Sequence, residues 1–555
     1  MMLNEPVIGE DFFGRREALN LIKKRVDALK EGYRQNIALT GQNLSGKSSI
    51  LHQFLYTFRD NQILPIYVEI TDEPFTYFSQ RFIGSLLYNF LKTKNLEPKE
   101  DLPLLIEEAR NYIPNTVKRV TDIQDFIKRR EFDQAYSELF DLTNSVKEET
   151  SKSCVIIFDE FHNLSNLNVK HPFKNFGKKI MVQKDTMYIV TSSQVTTVKK
   201  ILNEKLSLLF GNFEVINIDG FTTKNASYFL DRRFKYIRLP KEYKNFIISL
   251  TEGHPFYLDI ISQSVKDIVT HLTFKRITKD VLTEALKNSI FNSKGAVFLY
   301  LNNTLGAVRS SKKMSELYIS ILLAVAGGAF RLKEISKTVK KRTGDVSKHL
   351  SVLVEMNILY KNGSFYKFVD KMFGFWLKFV YQKRRSAIIS YLPDRIEIFK
   401  KEMGEIIDSF LMEESKEITQ RAAHLFGLFN NETINIENRE HRLCSFSSVD
   451  IKTFDNGDPY ILSKAMNKYW ITAISPEEVR DIDIIEFIEK CKSLKIKFHR
   501  KVLIAFSGIE MNARLLAKEE KIWIWDTEDF NHLMALYGKQ RVVEIRHKKR
   551  AGVAA

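Results

Sequence analysis

The sequence predicts an α/β protein whose first 220 residues form a mostly parallel sheet flanked by helices. Five short apolar, β-prone runs alternate with stretches of helical periodicity, which is typical of parallel strands joined by helices. A glycine-rich turn follows the first run directly and leads into a helix, as in strand–turn–helix units. The predicted strands are 36–40, 64–70, 154–158, 187–191 and 213–218.

Composition limits the class of protein. The chain has 555 residues, 44% hydrophobic and 28% charged, which is typical of a soluble globular protein of about three domains. The N-terminus lacks the basic start and following apolar run that are typical of a signal peptide. The longest apolar window, 318–330, is too short to span a bilayer. Three distant cysteines fit a reducing compartment. We therefore expect a cytoplasmic protein without a structural zinc site or disulfides.

The turn after the first strand carries the strongest chemical signal. It reads Gly41-Gln-Asn-Leu-Ser-Gly-Lys-Ser48 and fills the G-x-x-x-x-G-K-[ST] template of the nucleoside triphosphate-binding P-loop. Glycines let the backbone turn its N–H groups onto phosphate oxygens. Lysine reaches the β- and γ-phosphates, and the hydroxyl after it holds Mg²⁺. The predicted phosphate-binding residues are Gly41, Gln42, Asn43, Leu44, Ser45, Gly46, Lys47, Ser48 and Ser49.

A pair of carboxylates follows the third strand, in Val155-Ile-Ile-Phe-Asp-Glu160. Asp159 is predicted to bind Mg²⁺ together with Ser48, and Glu160 to polarise the water that attacks the γ-phosphate. The fourth strand ends in two serines. Ser192 is the predicted γ-phosphate sensor, with Ser193 as the alternative, although a serine there can also be only a turn or a helix cap.

The rest of the chain divides by its periodicity into further segments. A helical insertion is predicted at 74–149. A helical lid is predicted at 221–310, a winged helix-turn-helix at 311–385, a C-terminal α/β domain at 386–538 and a basic tail at 539–555. The winged helix is indicated by three helices and two strands with an Asn362-Gly363 turn.

The net charge of +17 favours a polyanionic partner, although a lysine- and glutamate-rich surface is also common in heat-adapted proteins. The third helix of the winged unit is predicted to bury Val346, Leu350, Leu353 and Val354. Its exposed face and the wing lysines Lys361 and Lys367 can then contact DNA phosphates without reading bases. Winged helices also serve as protein-contact or lid modules. The predicted DNA-contacting residues are Lys340, Lys341, Arg342, Ser347 and Lys348.

The order of these motifs resembles the archaeal ATPase family of the STAND branch, relatives of origin-recognition and AAA+ proteins. The resemblance covers residues 10–380 and rests on Phe13-Gly-Arg-Arg-Glu17, the P-loop, Asp159-Glu-Phe161, the two serines, Gly253-His-Pro255 and Val369–Trp376. It implies an ASCE-type sheet with ATP and Mg²⁺ as cofactors. It also implies that Gly14 and Arg15 lie beside adenine and that Pro255 joins the lid to the nucleotide, with His254 as a structural residue.

One position departs from the family pattern. Members usually carry Gly-Arg near the end of the sheet, and this chain has Gly211-Asn212. A completing arginine is then expected from Arg232, from Arg233 or from a neighbouring subunit. Without one in the same chain, hydrolysis is expected to be slow, since such an arginine contributes orders of magnitude in rate.

In this family a restriction-endonuclease-like domain often follows the winged helix. Such a domain needs an Asp and then Glu-x-Lys, and this chain offers Asp455 followed by Thr472 and Ile474 in those positions. Glu402 or Glu405 could supply an early helix acid. The missing Glu-x-Lys predicts an inactive nuclease-like domain.

The sequence therefore predicts a Mg²⁺-dependent ATP-hydrolysing switch that acts with duplex DNA. The alternatives are an ATP-driven protein-assembly switch without DNA and, third, an ATP-regulated nuclease. No membrane partner is expected, and self-association is possible on this reading.

Overall fold

The computed structural model describes residues 5–205, 212–271, 276–310, 316–386, 391–436 and 439–544. The chain divides into two units. The first contains the residues up to Phe221 together with His254–Phe256, and the second contains Thr222–Gly253 and the residues from Tyr257 onward. Gly211, residues 311–315 of the predicted winged unit and the basic tail beyond Glu544 lie outside the described residues. The finer division into lid, winged helix and C-terminal domain stays a prediction.

The first unit is built on a five-stranded parallel sheet with the order β2-β3-β4-β1-β5. Each of the five predicted strands is present, with ends within one residue of the prediction, which confirms the α/β fold class. Strand β4 lies between β1 and β3 and pairs with both. The strands are β1 Asn36–Thr40, β2 Ile63–Glu69, β3 Ser153–Asp159, β4 Thr186–Ser192 and β5 Phe213–Asn217.

Alternate strand residues face two separate cores, because successive side chains of a strand point to opposite faces. Ile37 and Leu39 belong to the core that includes α1 and α2. Ala38 and Phe158 belong to the larger core with α3 to α7, where the long helical insertion covers that face. The helices are α1 Arg16–Lys30, α2 Lys47–Thr57, α3 Phe75–Lys92, α4 Leu102–Ala109, α5 Pro114–Lys128, α6 Phe132–Thr150, α7 Pro172–Val182 and α8 Val195–Lys200.

The second unit begins with helices and continues through a small hairpin to a mixed sheet. Helix α11 starts at the residues assigned to the first unit. Its first elements are α9 Thr223–Arg233, α10 Lys241–Thr251, α11 Pro255–His271, α12 Lys279–Leu286, α13 Ala296–Ser310, α14 Glu316–Ala326, α15 Leu332–Val339, α16 Thr343–Glu355, β6 Leu359–Asn362, β7 Phe365–Phe368, α17 Lys371–Trp376, α18 Gln382–Arg385 and α19 Leu392–Glu414.

Helices α14, α15 and α16 and the hairpin β6–β7 occupy the region predicted as a winged helix. Val346, Leu350 and Leu353 are buried as predicted, whereas Val354 is only half-buried. The turn lies one residue later than predicted, because Asn362 still pairs with Phe365 and leaves Gly363 and Ser364 in the loop. The structure thus has the helices and the hairpin of the predicted unit, while its binding role stays a prediction.

The remaining elements form a C-terminal sheet with the order β10-β11-β12-β13-β14, antiparallel up to β12 and parallel beyond it. Helices α21 and α22 belong to the core on one face. The elements are α20 Ile418–Phe426, β8 Thr433–Ile436, β9 Arg439–Arg442, β10 Ser448–Thr453, β11 Pro459–Ala465, β12 Lys468–Ser475, α21 Asp481–Ser493, β13 Phe498–Ala505, α22 Met511–Glu519, β14 Ile522–Asp526 and α23 Thr527–Leu536.

The tip of the β6–β7 hairpin is covered by strand β8. The Asn362 side chain donates to the Asn435 carbonyl at 2.9 Å and accepts from the Asn435 N–H at 2.7 Å. Gly363, at φ +58°, lies so close to Thr433 that a Cβ there would be 1.9 Å from the Thr433 carbonyl oxygen. The tip of this hairpin is therefore covered by protein in this arrangement, and a DNA contact through the rest of the wing stays a prediction.

Lys367 is also not available to phosphates, in contrast to the prediction. Its side chain is buried and its Nζ atom lies against the ring of Phe330. Burial, reinforced by nearby Lys371, lowers the pKa of Lys367 to about 6. At neutral pH this side chain is therefore largely uncharged, which suits packing and not phosphate binding. Lys361, on the neighbouring strand, is exposed.

The residues considered for a nuclease site do not come together. Thr472 is fully buried, Ile474 packs at the edge of the same core, and Asp455 is exposed in the β10–β11 turn. Glu402 is bonded to Lys383 at 2.7 Å. Within the described ranges no group of three or more His, Cys, Asp or Glu side chains is arranged to hold a metal ion. Nothing in this arrangement supports the nuclease alternative.

None of the helices in the described part of the chain is both long and apolar enough to cross a membrane.

The close contact at Gly363 predicts a specific loss of stability. Gly363→Ala should lower the free energy of unfolding by about 1–2 kcal/mol for the left-handed backbone and by about a further 1–3 kcal/mol for the overlap with Thr433. Gly457→Ala is the matched control, because Gly457 also has a positive φ, +85°, but has open space around it. Urea unfolding followed by tryptophan fluorescence measures both. Equal losses in the two variants would contradict the β8 contact.

Candidate active site

The P-loop backbone joins the end of β1 to the first turn of α2, which begins at Lys47. Gly41 has no room for a side chain, because a Cβ there would be 2.3 Å from the Ile218 carbonyl oxygen. Leu44 and Gly46 have positive φ values of 57° and 94°. These bends form the concave loop whose N–H groups can receive phosphate oxygens. The side chains of Ser48 and Ser49 follow on α2, half-buried.

Lys47 is held inside the loop. Only 4% of it is exposed, and its Nζ donates to the carbonyls of Gly41 at 3.1 Å and Gln42 at 2.7 Å. Burial lowers the pKa of Lys47, while the charges of Glu160 and Asp159 act in the opposite direction. A buried ammonium beside this glycine-rich loop fits a polyphosphate ligand. Burial removes the water that would stabilise the positive charge, and a bound anion would stabilise it instead.

Asp159 ends β3 as a buried carboxylate held by two hydroxyls. It is 2% exposed, accepts from Tyr67 at 2.9 Å, and accepts from the Thr191 hydroxyl. The same Thr191 oxygen accepts the backbone N–H of Glu160 at 3.1 Å. Thr191 therefore fixes both acidic residues. Sequence reasoning missed this role, although parallel pairing of β3 with β4 places residue 191 beside residue 159.

Glu160 points toward the serines that follow β4. Its left-handed backbone, φ 54°, turns the chain after β3. The Glu160 Oε2 atom accepts from the Ser193 N–H at 3.0 Å and from the Ser193 hydroxyl at 2.9 Å. Ser192 is fully buried, and its hydroxyl is instead 3.0 Å from Nδ1 of His162. Of the two sensor candidates, the alternative Ser193 is the one in contact with the glutamate.

His162 completes this group and was not singled out from the sequence. Its Nδ1 lies 3.3 Å from Glu160 Oε2 as well as beside Ser192. Burial lowers the pKa of His162, and the charge of Glu160 opposes that shift. The signal available in the sequence was its position two residues after Glu160, in the same turn. Glu160 thus has a neighbour that can donate a hydrogen bond in either the neutral or the charged state.

Gly14 and Arg15 lie behind the loop. Both have positive φ, and a Cβ on Gly14 would approach the Phe221 ring to 3.3 Å. The Arg15 guanidinium donates to the Ser45 carbonyl at 3.1 Å and to the Asp219 carbonyl, and it stacks 4.9 Å from the Phe221 ring centroid. Burial lowers the pKa of Arg15 to about 10, so it stays charged at neutral pH.

His254 also contacts the phosphate loop. Its Nε2 is 3.1 Å from the carbonyl oxygen of Asn43. Pro255, the predicted nucleotide contact, follows it as the first residue of α11. The sequence interpretation gave His254 only a structural role, and its position next to Pro255 was the one clue to this contact.

Residue 212 lies at the opposite edge of the sheet from the P-loop. The Asn212 carbonyl accepts from the N–H of Asn36, the first residue of β1, whereas the loop follows Thr40 at the other end. Five residues of strand separate the two edges by about 13–16 Å. An arginine at 212 would therefore lie far from a γ-phosphate bound by the same chain, and the source of a completing arginine stays a prediction. Arg233 forms an ion pair with Asp259, and Arg232 is exposed.

The geometry agrees with the family comparison. Residues 12–261 match the family described as an ATPase domain predominantly from Archaea. This part of the chain is similar to that ATPase domain. The match accounts for the P-loop, both carboxylates and Pro255, and it ends inside α11.

Solved structures with similarity to this chain include three P-loop proteins. The Walker-type ATPase of Pyrococcus abyssi is 19% identical, covering 68% of this chain and 99% of its own, with a TM-score of 0.46. The ORC2 protein of Aeropyrum pernix is 10% identical, covering 74% and 97%, with a TM-score of 0.43. The RuvB branch-migration motor of Thermotoga maritima is 12% identical, covering 70% and 100%, with a TM-score of 0.32. No curated protein matches the chain.

The shared hydroxyl of Thr191 predicts a loss of ATP turnover. Thr191→Val keeps the shape but removes the donor to Asp159 and the acceptor for the Glu160 N–H, so kcat should fall by about tenfold or more, with each lost hydrogen bond to a charged group costing about 1.5–3 kcal/mol. Thr186→Val, at the other end of β4, is the control and should leave turnover within about twofold of the wild type. Phosphate release measures both. Wild-type turnover in Thr191→Val would contradict the proposed support of the carboxylates.

Proposed function

We propose that the ATPase domain hydrolyses Mg²⁺-bound ATP with Glu160 as the residue that activates the attacking water. The observation that carries this is the position of Glu160, directly after the buried Asp159 and held by the N–H and hydroxyl of Ser193. A carboxylate beside the phosphate loop can accept a proton from water as it attacks. The hydrogen bonds from Ser193 restrict the direction in which this acceptor points.

The other roles follow from where the charges lie. Lys47 would leave the carbonyls of Gly41 and Gln42 to contact the β- and γ-phosphates. Ser48 and Asp159 are the side chains that would hold magnesium, which when bound neutralises charge on the phosphate oxygens. Tyr67 and Thr191 keep Asp159 in place. Ser192 is separated from Glu160 by His162, so we assign the direct contact with the catalytic carboxylate to Ser193 and a supporting contact to Ser192.

We further propose that this ATPase is a slow switch completed by another molecule. Arg15 is engaged with the carbonyls of Ser45 and Asp219, and Arg233 with Asp259. Position 212 is at the far edge of the sheet. A completing arginine is therefore proposed to come from the exposed Arg232, from a second copy or from a partner, and a basal rate below the usual range follows. Loss of the contact between His254 and Asn43 offers a way for nucleotide to influence the lid.

Duplex DNA is the proposed partner. Lys340, Lys341, Arg342 and Lys348 are exposed at the start of α16 and beside it, whereas Ser347 is half-buried. Such cations contact phosphates irrespective of sequence. The covered wing tip favours the second candidate, an assembly switch without DNA, because a winged helix normally places its wing on the DNA backbone.

Substitution of the acidic residue separates hydrolysis from binding. Glu160→Gln should reduce kcat by about 100-fold or more while nucleotide affinity changes little, because a general base contributes about 10²–10⁴-fold. Ser193→Ala should reduce kcat by about tenfold, through loss of one charge-assisted hydrogen bond. Glu10→Gln is the charge-matched control for Glu160→Gln. Phosphate release and fluorescent-nucleotide titration provide the readouts, and undiminished turnover in Glu160→Gln would refute the assignment.

The DNA partner is tested by affinity across a salt series. Fluorescence anisotropy with a mixed-sequence 30-base-pair duplex should show weakening with salt, and Lys340→Glu/Lys341→Glu should reduce the slope of log K against log salt by about 0.9 per lost phosphate contact. ATP turnover with and without the same duplex gives the second measurement. Absence of both DNA binding and stimulation would leave the protein-assembly switch as the function.

A further inference from the structure

A cluster of basic side chains lies at one end of the C-terminal sheet, away from α16 in sequence. Lys468 opens β12, and His499 and Arg500 lie near the start of the neighbouring strand β13. Arg439 and His441 come from the β8–β9 hairpin. Lys468, His499 and Arg439 are exposed, and the other two are half-buried.

A β-bulge sets the direction of two of these residues. Tyr469 pairs with Phe498 and Trp470 pairs with Arg500, so His499 is the extra residue of the bulge. A bulge changes which face of a sheet the following side chains occupy, and such bulges occur often beside functional sites. In this sheet the bulge places Arg500 on the same face as Trp470 of β12 and Trp523 of β14.

Arg500 is held rigidly on an aromatic surface. Its guanidinium carbon lies 3.9 Å from the Trp523 ring centroid, and His441 meets the same tryptophan at 4.6 Å between ring centroids. Both side chains carry a buried nitrogen without a hydrogen-bond partner among the described residues, Arg500 Nε and His441 Nδ1. These two atoms are enclosed and do not face a surface ligand. Stacking on Trp523 limits the motion of the half-buried Arg500 guanidinium, so that binding of an anion to its remaining nitrogens has a low entropic cost.

The charges in this cluster act on one another mainly as repulsions. After burial, Arg500 and Arg439 lower the pKa of His441, and Lys468 and Arg500 lower the pKa of His499. Lys501, which follows Arg500 and alternates to the other face, forms an ion pair with Glu520 at 3.6 Å. Cations that repel one another are stabilised by a polyanion that lies across all of them.

We propose that this basic cluster, formed by Arg439, His441, Lys468, His499 and Arg500, binds the phosphate backbone of duplex DNA. The proposal rests on the proposed DNA partner and adds a second contact surface to it. Strand β8 covers the wing tip through Asn435 and Thr433, while its partner β9 carries Arg439 and His441. The β8–β9 hairpin thus takes the place of the wing, and its own basic residues supply the backbone contacts that the wing cannot make.

The test uses the full-length chain and fluorescence anisotropy with a 30-base-pair duplex of mixed sequence. Arg439→Glu/Lys468→Glu should weaken binding by about tenfold or more and reduce the salt slope by about 1.8, two contacts at about 0.9 each. Lys492→Glu/Lys518→Glu is the matched control, since it makes the same change in charge on the exposed sides of α21 and α22. Basal ATP turnover should be unchanged in both, and tryptophan fluorescence checks folding.

Equal DNA binding by the cluster variant and the control would overturn the cluster. Absence of DNA binding by the wild type would overturn the DNA partner and the cluster together. Loss of binding in the cluster variant with normal binding in Lys340→Glu/Lys341→Glu would support the cluster alone. Inorganic polyphosphate that displaces the duplex at equal phosphate concentration would overturn the assignment to DNA and indicate a site for free polyphosphate.

Discussion

The insertion of β4 between β1 and β3 is the constraint on which the ATPase site depends. Parallel strands bring their carboxyl ends to one edge of a sheet, and β4 pairs with both neighbours through regular backbone hydrogen bonds. The phosphate loop after β1 and the acids after β3 are therefore separated by the width of one strand. That gap is filled by the end of β4, whose Thr191 hydroxyl bonds to Asp159 and to the Glu160 N–H. A change of strand order would leave all the same residues present and remove the site.

Much of this edge could be predicted because its signals are local. The phosphate loop, Gly41 to Ser48, is contiguous in sequence because one short segment must curve around the phosphates. The end of β3 is also a local signal, since two acidic residues follow an apolar run. The contacts of Thr191, Tyr67 and His162 could not be predicted, because each depends on which strand neighbours which and on a rotamer. Residue 212 shows the same limit. Its identity is visible in the sequence, but its location at the amino edge of β5 follows only from the pairing of Asn36 with Asn212.

The side-chain environments of the second unit were harder to predict for the same physical reason. The helices and the hairpin of the winged unit follow from periodicity and a turn. Coverage of Gly363, in contrast, is set by Thr433 of β8, about 70 residues later, and Lys367 lies against Phe330, which is distant in sequence as well. Lysine in a short exposed hairpin predicts a phosphate contact. The same lysine beneath Phe330 is largely neutral at pH 7 and contributes packing instead. Long-range contacts between the hairpin and the C-terminal sheet thus change the chemistry of residues whose local structure was correctly predicted.

The carbonyl groups of the phosphate loop have partners from several parts of the first unit. In a trans peptide the N–H and C=O point in opposite directions, so N–H groups turned toward an anion leave carbonyls facing away from it. Four such carbonyls have partners: those of Gly41 and Gln42 bind Lys47, that of Ser45 binds Arg15, and that of Asn43 meets His254. If Lys47 moves to bound phosphates, as proposed, the Gly41 carbonyl loses this partner, whereas the Gln42 carbonyl keeps the Ser45 N–H at 3.3 Å. The loop is then held by this backbone hydrogen bond, by Arg15, before β1, and by His254, beside Pro255. The contact of His254 with the Asn43 carbonyl thus joins the phosphate loop to the first residues of α11.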